Sequence, residues 1–117
     1  MNISEASQKV TMSADTLRYY ERIGLIPAVK RTKGGIRNYK QEDLEWIEFV
    51  KCMRHAGLSI EVLAEYLTLY KEGASTFETR KQLLIAERNA LNERIDELLE
   101  TREHLNAKIA HYENSQK

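Results

Sequence analysis

The chain has very little of the residues that crosslink or interrupt a protein. Among its 117 residues are one cysteine, one proline and five glycines. A single cysteine excludes an intrachain disulfide, so we expect a reducing, cytoplasmic setting. No apolar run is long enough to cross a membrane, and the first residues do not form an apolar signal segment. We therefore expect a largely helical protein without membrane contact, built as one domain or as a small domain plus an extension.

Glycine and proline are absent from Ser75 onward, and there the hydrophobic pattern changes. One seam places an apolar residue at every seventh position, and a second seam, four residues after each, holds three charged side chains and two isoleucines. This pattern is typical of a two-helix coiled coil whose polar interruptions set partner and register. The expected interface residues are Phe77, Leu84, Leu91, Ile95, Leu98, Leu105, Ile109 and Tyr112.

The length of this helix predicts a homodimer. The seam from Phe77 to Tyr112 extends about 54 Å at the helical rise of about 1.5 Å per residue. Residues 1–73 are too few to bury a stripe of that length, so a second copy is expected to cover it. Packing of the helix back on its own domain is the alternative.

The net charge of the chain is zero, but its first part is basic and the rest is acidic. Residues 1–40 hold eight Lys or Arg against three Asp or Glu, and the rest of the chain holds ten against fifteen. A basic front indicates a polyanionic partner, although chance clustering is an alternative.

Two short helices are predicted at the start of the chain. Ile3, Ala6 and Val10 have helical spacing, and Ser4 can cap the turn that follows it. After a break at Thr11 and Met12, Ser13 is a good N-cap for a second helix. Such a pair fits a helix-turn-helix, whose second helix exposes its side chains to base edges. The outward face would carry Ala14, Asp15, Arg18, Glu21 and Arg22, while Thr16, Tyr20 and Ile23 would face helix one.

A basic hairpin is predicted next. Gly24 and Pro27 end the second helix, and Gly34-Gly35 supplies a tight turn between alternating residues. The cations of this β-hairpin match a wing that grips phosphate, with a solvated basic loop as the alternative. They are Lys30, Arg31, Lys33 and Arg37, beside Tyr39.

A second helix pair follows the hairpin. Gln41 or Asp43 opens a helix that runs to about His55, and Ser59 caps another that ends at Gly73. The pattern predicts a buried stripe on each helix. These stripes are Trp46, Phe49, Val50 and Met53 on the first helix, and Leu63, Tyr66, Leu67 and Tyr70 on the second.

With these segments in order, the chain resembles the MerR family of dimeric transcription regulators. The resemblance is carried by TLRYYERIGLIP at 16–27, by Gly35-Ile36-Arg37-Asn38-Tyr39 and by GLSIEVLAEYL at 57–67. It implies a bacterial, mainly α protein of two parts. Residues 1–73 would form a winged helix-turn-helix DNA-binding domain with a second helix pair, and residues 74–117 a long antiparallel coiled-coil dimerisation helix.

The resemblance also implies the DNA contacts. Arg18 and Tyr19 would contact base edges and backbone, and Tyr39 would lie against the sugar-phosphate chain. Tyr20 would lie at the DNA-facing edge or pack in the core, and both readings stay open. The full expected DNA-binding set is Ser13, Ala14, Asp15, Thr16, Arg18, Tyr19, Tyr20, Lys30, Arg31, Lys33, Gly35, Arg37 and Tyr39.

The resemblance also implies a mode of action. The dimer helix sets two recognition helices into successive major grooves of a pseudo-palindromic promoter. Activation then comes from distorting a promoter spacer that is too long for RNA polymerase, which is a form of indirect readout.

The expected switch is a thiol. Because the chain ends soon after the last heptad and has no cysteine near the dimer helix, we expect no drug-binding domain, no cofactor and no site for a soft metal. Cys52 lies off the predicted buried stripe, with Lys51 and His55 nearby. Its segment FVKCMRHAGLSIE resembles the thiol-dependent branch of the family, whose members respond to aldehydes or other electrophiles. Cys52 is thus the expected sensor of a stress response, with an inert, half-buried thiol as the alternative.

Other functions are weighed against this one. A non-covalent pocket between head and dimer helix, lined by Tyr66, Tyr70 and Phe77, would serve the same regulator. A coiled-coil adaptor without DNA binding leaves the basic hairpin unexplained. An enzyme is not expected, because the three histidines offer no Cys-His-Asp arrangement and no catalytic residue is proposed.

Overall fold

The structure is a computed structural model that describes residues 1–115, and it is mainly helical with one long C-terminal helix. This confirms the mainly helical part of the predicted fold. Among the described residues, no helix is long and apolar enough to span a membrane. The helices are α1 (Ile3–Val10), α2 (Ala14–Arg22), α3 (Gln41–His55), α4 (Ile60–Lys71) and α5 (Phe77–Ser115), with a short 3-10 turn at Ala74–Thr76 before α5.

Polar caps begin three of these helices. Ser13 caps α2 and Ser59 caps α4, and each hydroxyl accepts a hydrogen bond from the amide three residues later at 3.1 Å. The cap of α1 is Asn2 and not Ser4, which corrects the sequence prediction. Asn2 Oδ1 accepts from the Glu5 amide, and Glu5 Oε1 accepts from the Asn2 amide. This reciprocal pair satisfies two amides of the first turn, so α1 begins earlier than Ser4 would allow.

The turn between α1 and α2 is held from two sides. Thr11 adopts a left-handed conformation with φ of 55°, and the Ser7 hydroxyl donates to the carbonyl of Met12. From α3, Lys51 Nζ donates to the Val10 carbonyl at 2.7 Å. A lysine at the C-terminal end of α1 satisfies a carbonyl that has no partner within the helix. The direction of α2 is therefore fixed by contacts to both neighbouring helices.

The buried face of α3 differs from the prediction. Leu44, Ile47 and Val50 are buried, whereas Trp46 and Phe49 are half-buried. Of the predicted stripe, Val50 is buried, and the other members pack against the core while only partly buried, because aromatic side chains of α4 cover that side of α3. The buried hydrophobic core of the head is Ala6, Val10, Leu17, Tyr20, Leu25, Ile26, Val29, Tyr39, Leu44, Ile47, Val50, Leu58 and Leu63.

The wing is smaller than the predicted β-hairpin. Residues 1–115 contain no extended strand, and the expected pairing is reduced to an isolated antiparallel bridge between Arg31 and Arg37. Gly35, with φ of 82°, supplies the turn, and its amide donates to the Thr32 carbonyl at 2.9 Å. A two-stranded ribbon has little stability of its own. A wing this short therefore depends on contacts to the rest of the head.

The chain forms two compact units, of which the first is Met1–Arg80 and the second begins at Lys81. The first unit extends past the expected boundary at residue 73 because the turn at Ala74–Thr76 is bonded to α4, and the start of α5 is bonded to that turn and to Gly73. Thr76 Oγ1 donates to the Leu69 carbonyl at 2.5 Å, and Arg80 Nη2 donates to the Gly73 carbonyl at 3.3 Å. In the second unit, no described residue is buried.

Candidate nucleic-acid interface

Helix α2, the expected recognition helix, presents a basic and aromatic surface. Tyr19 is 38% exposed, and the guanidinium of Arg22 lies 5.4 Å from the centre of its ring. One turn earlier, Arg18 Nη1 donates to Asp15 Oδ1 at 2.9 Å, and both side chains are open to solvent. An exposed ion pair of this kind contributes little stability, so the Arg18 guanidinium is available to an acceptor on a ligand.

One ion pair joins the wing to α2. Arg37 Nε donates to Glu21 Oε1 at 2.8 Å, with 22% and 15% of the two side chains exposed. The other carboxylate oxygen of Glu21 accepts from the Val29 amide at 3.4 Å. The hydrogen bond that Arg37 donates to Glu21 raises the pKa of Arg37 above its ordinary value, and burial opposes this effect. Arg37 is therefore a tether of the wing, whereas the sequence placed it among the phosphate-binding cations.

The tip of the wing carries the exposed cations. Arg31 Nη1 donates to the Gly35 carbonyl at 2.8 Å, so the Arg31 side chain stabilises the turn of the wing. Lys30 and Lys33 are exposed, and neither pairs with an acidic side chain within residues 1–115. Lysines placed in this way can neutralise phosphates and release counterions.

Two tyrosines of the expected set are buried instead of facing a ligand. Tyr20 is part of the core, as the inner-face alternative required. Tyr39 is 1% exposed, and its hydroxyl is buried with no hydrogen-bond partner among the described residues. Burial raises the pKa of Tyr39 above its usual 10.0, and the nearby Arg37 partly offsets this. The expected contact of Tyr39 with the sugar-phosphate chain is thus corrected, because the side chain packs inward.

Cys52 lies on the head, where its thiol is free and exposed. It lines a shallow depression with Glu48, Lys51 and His55 of α3, and Tyr20 of α2 closes the other side. Exposure agrees with the prediction that Cys52 is not a core residue. The depression connects the thiol to two residues that position α2: Tyr20, through the core, and Lys51, through its bond to α1.

Within residues 1–115, no three His, Cys, Asp or Glu side chains are grouped so that they could hold a metal ion.

An open cleft lies between α3 and α4 that the sequence only partly indicated. Tyr66 and Tyr70 line it, as the sequence allowed, but Phe77 does not. Its other lining residues are Glu42, Glu45, Trp46 and Phe49. Trp46 and Phe49 were assigned to the core stripe, so the sequence indicated only the two tyrosines of this cleft. Glu21 was missed for a similar reason, since helical phase placed it on the outward face and its partner lies 16 residues away.

Comparisons with known proteins agree with this geometry. The family described as "MerR HTH family regulatory protein" matches residues 1–69, and the one described as "MerR, DNA binding" matches residues 44–108. The HTH-type transcriptional regulator AdhR of Bacillus subtilis is 58% identical over 93 residues, which are 80% of this chain and 66% of that protein. The chain thus spans just under two thirds of the length of this relative.

Two solved structures share the fold. A MerR family transcriptional regulator from Listeria monocytogenes is 51% identical with a TM-score of 0.94, and the match covers 97% of this chain and 86% of that one. HiNmlR, described as a MerR family regulator lacking the sensor domain and bound to promoter DNA, is 29% identical with a TM-score of 0.89. That match covers 98% of this chain and 91% of the other.

Proposed function

The chain belongs to the MerR family of DNA-binding transcriptional regulators, and from that premise we propose that it binds promoter DNA as a homodimer, through α2 and the wing of each copy. The observation that carries the proposal is the pairing of Arg37 with Glu21, which fixes a cationic wing beside an exposed recognition helix. The base-reading and backbone contacts are then assigned to the exposed and half-buried residues, and Tyr20 and Tyr39 support them from the core. The proposed contacts are Ser13, Ala14, Asp15, Thr16, Arg18, Tyr19, Lys30, Arg31, Lys33 and Gly35.

Dimerisation is proposed through α5. In a single chain, Leu98 and Leu105 of the first seam and Ile109 of the second are exposed on a 39-residue helix. Contiguous apolar surface of this kind marks a protein interface, and the heptad spacing matches an antiparallel two-helix coil. The functional parts are then the DNA-binding unit Met1–Arg80 and a dimerisation helix that continues from it.

Two linked heads offer a way to distort DNA. A dimer that holds both recognition helices at a fixed separation can bind a two-fold site only if the DNA adopts a matching twist and bend. We propose that this deformation brings an over-long promoter spacer into a geometry that RNA polymerase accepts. The similar HiNmlR, in complex with promoter DNA, supports binding of such a target by this fold.

The proposed signal is an aldehyde or another electrophile that reacts with Cys52. The thiol sulfur adds to the carbonyl carbon, the C=O π bond opens, and the thiol proton passes to the carbonyl oxygen. The product places a polar adduct in the depression beside Tyr20 and Lys51. Because Lys51 holds the C-terminal end of α1, displacement of its side chain loosens the turn that aims α2. The adduct therefore alters how the recognition helix meets DNA.

Mass spectrometry of the full chain, combined with run-off transcription from the regulated promoter, tests this proposal. The wild type is expected to gain one adduct on Cys52 with formaldehyde or methylglyoxal, and transcript yield is expected to change in step. Cys52→Ser should retain DNA binding and lose both responses. Full inducibility of Cys52→Ser by these aldehydes and by quinones would contradict thiol sensing while leaving the DNA-binding proposal intact.

A further inference from the structure

The cleft between α3 and α4 is built from aromatic rings that contact one another. The Trp46 ring lies 4.9 Å from the Tyr70 ring in an edge-to-face arrangement, and 5.8 Å from the Tyr66 ring, centre to centre. Phe49 lies 5.5 Å from Tyr66 on the other side. The rings are only partly covered, and Tyr70 remains 47% exposed. Four aromatic side chains are thus collected around one opening without closing it.

Two carboxylates complete the lining. Glu42 and Glu45 lie one helical turn apart on α3, at the same opening as the rings. No cationic side chain of the described part of the chain lies within ion-pair distance of either carboxylate. The lining therefore contributes two negative charges and no positive charge. This charge disfavours an anion, and a neutral molecule would gain nothing from it.

A guanidinium already occupies one aromatic face of this cluster. Arg80 lies 5.3 Å from the centre of the Tyr70 ring, where its Nε donates to Thr76 Oγ1. Arg80 does not line the cleft, so the faces of Trp46, Phe49 and Tyr66 carry no cation in the described residues. Electron-rich ring faces attract a positive charge, and tryptophan attracts it most strongly.

From these observations we propose that the cleft formed by Trp46, Phe49, Tyr66 and Tyr70 with Glu42 and Glu45 binds a small hydrophobic organic cation of the arylammonium class. The cavity of about 320 Å³ is large enough for such a molecule. A quaternary ammonium needs no hydrogen-bond acceptor, which suits a lining whose polar groups are carboxylates at the rim. The site is independent of Cys52 and of DNA binding, so it goes beyond the proposed function.

The protein carries its own reporter of binding, because Trp46 is the one tryptophan in the sequence. The full chain is titrated with phenyltrimethylammonium chloride under selective excitation of the indole, and binding is confirmed by calorimetry. The matched neutral probe is tert-butylbenzene, which has the same shape with carbon in place of nitrogen. Saturable quenching by the cation, with at least about tenfold weaker binding of the neutral probe, is expected.

Variants separate the charge contribution from the apolar one. The double substitution Glu42→Gln and Glu45→Gln should weaken binding of the cation by about tenfold or more and leave tert-butylbenzene unaffected. Glu61→Gln with Glu65→Gln changes the charge by the same amount on the exposed part of α4 and should have little effect. Equal binding of both probes, or an unchanged affinity in the first double variant, would overturn the proposal. So would the absence of any response to the cation, since the cleft would then be covered by a second copy or bind nothing.

Discussion

Arg37 of the wing and Glu21 of α2 are joined by a hydrogen-bonded ion pair of 2.8 Å, shielded so that less than a quarter of either side chain is exposed. The wing has a single backbone bridge of its own, so this pair supplies much of its attachment to the recognition helix. Loss of one partner leaves the other charge half-buried and unpaired, which is costly. The pair therefore determines where the cations of the wing lie relative to α2.

Substitution of Glu21 by Gln is expected to weaken DNA binding. Removal of a negative charge near DNA ordinarily strengthens binding, but here it releases the wing. The free energy of unfolding should fall by about 1–3 kcal/mol, as for other hydrogen bonds to charged groups. Thermal unfolding and fluorescence anisotropy with a labelled duplex measure the two effects. Asp15→Asn removes an exposed charge from the same helix and should not weaken non-specific binding. Tighter binding by Glu21→Gln would contradict the tether.

Substitution of Arg18 by Ala and of Lys33 by Ala is expected to weaken DNA binding in different ways. Arg18→Ala should cost about 1–3 kcal/mol on the specific duplex, because a base-reading contact is lost. Lys33→Ala should weaken all duplexes alike and reduce the slope of log K against log salt by about one. Anisotropy titrations at several salt concentrations measure both, with Lys71→Ala of α4 as control. Identical behaviour of the two variants on specific and random duplexes would argue against this division.

Tyr39→Phe is expected to leave stability unchanged or to raise it by up to about 1 kcal/mol. The substitution removes a buried hydroxyl that has no partner within residues 1–115 and retains the ring that fills the core. DNA affinity should be unchanged, because the hydroxyl faces inward. Denaturant unfolding is the measurement, and Tyr19→Phe, whose ring is exposed, is the control. A large loss of DNA affinity would show that Tyr39 turns outward to the backbone.

The same tyrosine predicts a response to alkaline pH. Burial raises its pKa in the folded state above the ordinary 10.0, so its contribution to stability is fully present below pH 10.0. That contribution is lost as pH rises through the folded value, because the unfolded chain ionises first. The advantage of Tyr39→Phe over the wild type should therefore grow above pH 10.0. A constant difference across that range would contradict the role of burial.

Leu105→Asp is expected to dissociate the dimer. The substitution places a carboxylate in the apolar seam, whereas Asn106→Asp places the same group at the next position, outside the seam. Analytical ultracentrifugation should find Leu105→Asp monomeric and Asn106→Asp dimeric at micromolar concentration, with both equally helical. A wild type that is itself a monomer would refute the proposed assembly.

The sequence predicted the helices well because each has local signals. Ser13, Ser59, Gly24 and Gly73 lie at helix ends as expected, and the heptads identify α5. These features depend on residues a few positions apart. The class of fold follows from such short-range signals and their order.

The functional side chains were harder to place because their partners are distant in sequence. From the sequence, Arg37 is one of several cations in the wing and is expected to bind phosphate. Only the fold brings Glu21 within hydrogen-bonding distance of it. From the sequence, Tyr39 is a residue of the wing, and only the fold shows that its ring is buried in the core. On α3, apolar residues lie on two sides of the helix, so the sequence allowed two possible buried stripes. Trp46 and Phe49 belong to the stripe that is only partly buried. Tertiary packing decides each of these cases.

The central claim, that two linked heads read one two-fold site, is tested most directly by selection of binding sequences from a pool of random duplexes. The full chain is expected to enrich an inverted repeat whose half-sites keep one fixed spacing, and Leu105→Asp should lose that enrichment. Enrichment of a single unrepeated half-site, or of no sequence at all, would contradict the claim.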